Sequence, residues 1–133
     1  MNLKYIDYLE PEWSPFVEYL YGALNRMTLF ATLNVAGQLI ENCEPFVQAG
    51  VIENNVMLLE AISDSFLDTP LSMRAFVALR YLGWNDPNEQ NPNHHLVPGP
   101  DRLPNHLIAR FMILTLRDAY GATPANKFDW SIE

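Results

Sequence analysis

TLFATLNVAGQLIENC, residues 28–43, decides how the rest of the chain is read. Leu29, Leu33, Ala36, Ile40 and Cys43 recur at three- to four-residue spacing, while Asn34, Gln38, Glu41 and Asn42 take the other side. That is the pattern of an amphipathic helix. Pro45 ends the run, and residues 45–49 then read as a single turn closed by Gly50, with proline and glycine in their favoured order.

Working outward, the neighbouring segments repeat the pattern. Upstream, Ser14 is placed as an N-cap and Pro15 at the first helical position, with Phe16, Leu20, Leu24 and Met27 on one face, which predicts a helix over 14–27. Downstream, 54–67 predicts a helix with Val56, Leu59, Ile62 and Phe66 on its apolar face and Glu60, Asp64 and Asp68 as an acidic stripe. Thr69 and Pro70 supply an N-cap and first-turn proline for a fourth helix through Leu82, stopped by Gly83. Its Met73, Phe76, Val77, Leu79 and Tyr81 cover more than one face, so it should be central. The last helix, NHLIARFMILTLRDAY over 105–120, is hydrophobic almost all round and must be enclosed. No alternation is sustained long enough to build a sheet, and only 3–9 offers a weak strand pattern. The expected architecture is therefore all-α: one helical domain over 1–133, an irregular bundle of about five main helices, with a C-terminal tail over 122–133 that docks through Phe128 and Trp130.

Between the last two helices lies WNDPNEQNPNHHLVPGPDRLP, residues 84–104, with five prolines and four asparagines. Connections of this length without their own periodicity are uncommon in compact domains and are often binding loops or lids.

Composition narrows the classes of function. Only 18% of residues are charged against 49% apolar, so much of the helical surface must be buried. The net charge of -8 sits in the first half, where ten acids face only Lys4 and Arg26. Nucleic-acid binding needs a basic footprint, so a helix-turn-helix reading built on Arg74 and Arg80 is disfavoured and a basic partner favoured. Cys43 stands alone, which rules out an internal disulfide, suits a reducing compartment and predicts a buried, inert thiol. Neither a secretory leader nor a membrane span is expected, and the expected location is cytoplasmic. The sequence is compatible with a homo-oligomer.

Two groupings carry candidate chemistry. Near the N-terminus, Tyr5, Tyr8 and Trp13 are interleaved with Glu10, Glu12 and Glu18; together with Trp84 and Asn85 of the loop they form the candidate partner-binding set. Rigid aromatics ringed by acids would select a basic protein surface and speed its encounter. The second grouping is His94, His95 and His106, with Asp86, Glu89 and Asp101 nearby in sequence, whose residue types suit zinc. The spacing does not support it: adjacent histidines point apart, and no HExxH, ExxH or CxxC fixes two ligands on one face. His106, Arg110 and Arg117 also form a polar strip on the last helix that could clamp an anion, although pairing with the acidic stripe of Glu60, Asp64 and Asp68 is favoured. Ser14, Ser63 and Cys43 have no base placed beside them by spacing, and phosphate-cradling glycine motifs are absent. These features favour a non-catalytic protein-binding module without a cofactor: an inhibitor, adaptor or assembly factor such as a bacterial or phage accessory, immunity or anti-defence protein. The alternative is a small metal-dependent or histidine-based hydrolase with its site at 84–106.

Overall fold

Two of the five segments expected to be helices contribute strands to a sheet instead. The computed structural model describes residues 1–41, 43–66, 70–98 and 103–133. In chain order it has α1 (Ser14–Arg26), β1 (Phe30–Val35), β2 (Phe46–Ile52), β3 (Val56–Ala61), α2 (Met73–Leu82), β4 (His94–Leu96), α3 (Asn105–Asp118) and β5 (Phe128–Ile132). The strands form one antiparallel sheet in the order β4-β3-β2-β1-β5. The fold is thus α/β, and the all-α bundle of five helices is corrected to three helices laid on a five-stranded sheet.

The reason lies in residues 28–43. Ala31, Leu33 and Val35 are buried while Phe30, Thr32 and Asn34 are half-buried, a period of two. Leu29 and Leu33 are four apart, an even spacing that satisfies a strand as well as a helix. Gly37, at φ 69°, then turns the chain in the left-handed region that suits glycine. Partners distant in sequence settle the matter, because Leu33 is opposite Val47 on one side and Trp130 on the other.

The turn expected over 45–49 is replaced by strand: Pro45 precedes β2, and residues 46–49 open it. The helix expected over 54–67 is β3, flanked by 3-10 turns at Glu53–Asn55 and Asp64–Phe66. Asn54 and Asn55 close the β2–β3 hairpin at φ 61° and 59°, a conformation asparagine tolerates better than most side chains, and so pair Ile52 with Val56. The acidic stripe dissolves with the helix: Glu60 stands on β3 and Asp64 in a turn, while Asp68 lies outside the described residues. The loop over 84–104 is not structureless, since it contributes β4 and an Asn85–His95 bridge. The C-terminal tail docks as strand β5, closed by reciprocal main-chain bonds between Phe30 and Glu133 at 2.8 and 2.9 Å.

All three helices lie where their spacing predicts. The N-cap of α2 is Ser72, whose Oγ accepts from the Ala75 amide at 3.2 Å; the expected cap, Thr69, lies outside the described residues. Helix α3 is enclosed between α1, α2 and the sheet, with Ile108, Phe111, Met112, Ile113 and Leu116 inaccessible to solvent. Helix α1 reaches β5 through Phe16–Phe128 and Tyr19–Trp130, at ring separations of 4.9 and 3.9 Å, and α2 reaches β4 through Phe76–His94 at 5.7 Å. Burial of each large core side chain, such as Leu33, Leu59 or Leu79, stabilises the fold by about 1.5–3 kcal/mol.

Candidate protein-binding site

Helix α2 has more apolar residues than one buried face can use. Ala75, Leu79 and Leu82 face the core, while Met73, Val77 and Tyr81, at i, i+4 and i+8, are 76%, 59% and 50% exposed. Both ends of the helix are fixed. At the start, the Glu41 carboxylate accepts from the Ser72 amide at 2.9 Å and from its hydroxyl at 2.8 Å. At the end, Gly83 takes φ 95° and its amide bonds back to the carbonyls of Leu79 and Arg80. A Cβ at that glycine would stand 3.1 Å from the Met1 nitrogen, because the N-terminal segment crosses there.

That segment lies beside the exposed row. The Asn2 amide donates to the Leu82 carbonyl at 2.8 Å, Tyr5 stacks on Tyr81 at 6.1 Å, and Tyr8 meets Tyr5 edge-on at 5.8 Å. The polar strip of α3 secures it. Arg110 pairs with Asp7 at 3.0 Å; Arg117 donates to the Tyr8 carbonyl at 3.0 Å and to both Glu10 oxygens at 3.1 Å. A main-chain hydrogen bond, and then Arg117, hold the Glu10 carboxyl below its ordinary range. The strip therefore pairs with acids of the N-terminal region rather than with Glu60 and Asp64. The result is an open groove of about 630 Å³ lined by Tyr5, Met73, Val77, Ala78, Tyr81 and Leu82, with Arg74 and Asp118 as its charged residues.

Of the residues singled out in the sequence, Tyr5 lines this groove and Tyr8 stands behind it, edge-on to Tyr5. Trp13 is buried edge-on against Phe16 and Phe128, and Trp84 is buried against Phe111, with its Nε1 donating to Thr115 Oγ1 at 3.0 Å. Asn85 is engaged through its main chain with His95. Glu18 meets His106 at 3.0 Å, whereas Glu12 is exposed with no ion pair among the described residues. Sequence reasoning missed Met73, Val77 and Tyr81 as a surface; the signal was their i, i+4, i+8 row on a helix that already had a core face.

The histidines do not converge. His94 and His95 are successive in a strand and face opposite ways: His94 is buried beside Phe76, while His95 is opposite Glu60 on the half-exposed face. Neither His94 ring nitrogen has a well-formed hydrogen bond, and burial pushes its pKa down against the opposing pull of Asp86 and the Asn85 main chain. His106 is on α3 beside Glu18 and Tyr21. Among the described residues no three His, Cys, Asp or Glu side chains gather as a metal site; Asp101 and Arg102 lie outside them. The Cys43 thiol, pushed up to about 11 by burial and by Glu41, donates to the Ile40 carbonyl, and Ser63 Oγ donates to the Pro92 carbonyl. Neither is poised as a nucleophile. The cleft that contains Ser14, Glu18 and His106 has about 110 Å³, well short of the roughly 300 Å³ at which ligand pockets begin.

The arrangement offers apolar contact area with guanidinium groups beside it, the chemistry of a surface for another polypeptide. A family model matches residues 7–128: TY-Chap3, described as T3SS (YopN, CesT) and YbjN peptide-binding chaperone 3. The chain belongs to the TY-Chap3 family. No curated protein and no solved structure matches it significantly. As a TY-Chap3 member it is a protein-binding module of the chaperone or adaptor kind, and its partner is another protein. No helix among the described residues is long and apolar enough to cross a membrane.

Proposed function

We propose that the groove between Tyr5 and α2 holds an apolar segment of the partner protein, and that the chain acts without catalysis as a cytoplasmic adaptor or assembly factor. The observation that carries this reading is the exposed row of Met73, Val77 and Tyr81. Contiguous apolar patches rimmed by polar groups mark interaction sites, and each Å² of apolar area taken from water contributes about 25 cal/mol. The reading departs from the basic partner surface expected from the net charge. Asp7, Glu10 and Glu18 already have Arg110, Arg117 and His106, so docking a basic surface there would have to displace internal partners. Tyr5 and Tyr8 are retained as contact residues; Trp13 and Trp84 act as core supports beneath the surface.

The test is Val77→Asp. The side chain is 59% exposed, so the fold should tolerate the change and circular dichroism should be unaltered. Affinity for the partner captured with the unaltered chain should fall about tenfold or more, because a carboxylate would be desolvated against an apolar segment. Unchanged affinity in a folded variant would overturn the reading. An inhibitor or anti-defence role would use the same contact, and is distinguished by assaying the partner's own activity with and without the bound chain.

A further inference from the structure

The charges around the groove specify what kind of segment it takes. Helix α2 reads MRAFVALRYL, with two arginines and no acid, in a chain whose net charge is -8. Arg110 and Arg117 are committed to the N-terminal segment. The arginines of α2 are held loosely by comparison. Arg74 is 64% exposed and reaches Glu41 only at 3.9 Å, and both oxygens of that carboxylate already accept from Ser72. Arg80 meets Asp86 at 2.7 Å, but its side chain is 70% exposed, and a pair so solvated is weak enough for a better-placed carboxylate to displace. Lys4 lies 5.4 Å from the centre of the Tyr5 ring. Asp118, the acid lining the groove, is taken up by Arg117 at 2.7 Å. Lys4 and Arg74, with little internal commitment, and Arg80, in a solvent-exposed pair, therefore border one apolar row.

We infer that the occupant is an acidic amphipathic segment of the partner protein, with apolar side chains against Met73, Val77 and Tyr81 and carboxylates on Arg74 and Arg80. This rests on the groove reading above and adds the partner's chemistry to it. The two arginines are six residues apart, about 9 Å along the helix axis and about 120° around it, so they flank the apolar row on opposite sides and the matching carboxylates must straddle it. A basic segment would bring its own cations against these three, a like-charge contact that suppresses binding.

The test uses the full chain and two fluorescent synthetic peptides that share the same leucines, one carrying glutamates and the other lysines at the remaining positions. Fluorescence anisotropy at low salt should show the glutamate peptide binding about tenfold or more tightly than the lysine peptide. That preference should shrink at high salt and in the Arg74→Gln, Arg80→Gln double variant, and Val77→Asp should weaken the glutamate peptide. If Val77→Asp abolishes both peptides but the lysine peptide binds equally well or better, the groove stands and the acidic occupant is overturned. If neither peptide binds, or binding survives Val77→Asp, the groove reading falls and the inference with it. Light scattering on the same samples covers the remaining occupant: a dimer that Val77→Asp dissolves would assign the groove to a second copy of the chain and overturn the inference.

Discussion

Trp84 opens the proline-rich stretch and, by composition, belongs on a recognition surface, yet its indole is stacked 5.5 Å from Phe111 and donates to Thr115 inside the core. His94, a few residues on, is the buried group that gives the fold a pH dependence. Its pKa is lowered, first by burial, so the folded state favours the neutral ring. Above the ordinary histidine range both folded and unfolded chains are neutral there and the residue adds no dependence. As pH falls through that range the unfolded chain takes up a proton that folded His94 does not, so stability drops until the lowered folded value is reached and then levels off. The charged groups acting on the ring are Asp86 and Asp64, which oppose the shift, and His95, which adds to it. Urea midpoints should therefore decrease between pH 7.5 and 5.5, and His94→Gln should reduce the decrease. An identical decrease in that variant would assign it to other groups.

At the scale of elements, α2 is the one on which the proposed contact depends, and its start is set by Ser72. Ser72→Ala removes the bond to the Ala75 amide and leaves Glu41 without its hydroxyl donor, so it should cost about 1 kcal/mol in urea denaturation. A loss near zero would mean that the first turn does not depend on this cap. Helices like this one were legible because their signals are local: proline at the start of α1, glycine after α2, and a dense apolar run in α3. The strands were not legible, for a physical reason visible in β3. Met57, Leu59 and Ala61 alternate correctly, but Val56 and Leu58 are apolar on the other face and hide the period. In β1 the leucine spacing fits either structure, and the choice is made by β2 and β5, the latter nearly a hundred residues away in sequence. Of the expected partner-binding residues, Tyr5 lines the groove now proposed as the site. The residues on α2 were read as core, because composition shows that a helix has surplus apolar surface without showing whether a neighbour covers it.

In the whole molecule, the helices cover one face of the sheet and the other is left half-exposed. Its middle is polar: Thr32 Oγ1 donates to Gln48 at 2.7 Å, and Glu60 accepts from Gln48 and Asn93 at 3.4 and 3.2 Å. These satisfied groups suit contact with water; among the described residues the exposed aliphatic side chains outside α2 are Leu29, Leu39, Val97 and, at the end of the β2–β3 hairpin, Ile52 and Val56, whereas the α2 row gathers three exposed apolar residues on one helix face. The N-terminal segment, held down by Arg110 and Arg117 through Asp7 and Glu10, serves as the frame that presents Tyr5 beside α2. The most direct measurement is site-specific photo-cross-linking in the source cells, with the reactive amino acid placed at position 77 in one version of the chain and at position 52 in another. The account predicts an adduct from position 77 whose partner peptide is apolar and acidic, and none of comparable yield from position 52. Adducts from position 52 with none from 77 would contradict it and move the binding surface to the hairpin end of the sheet.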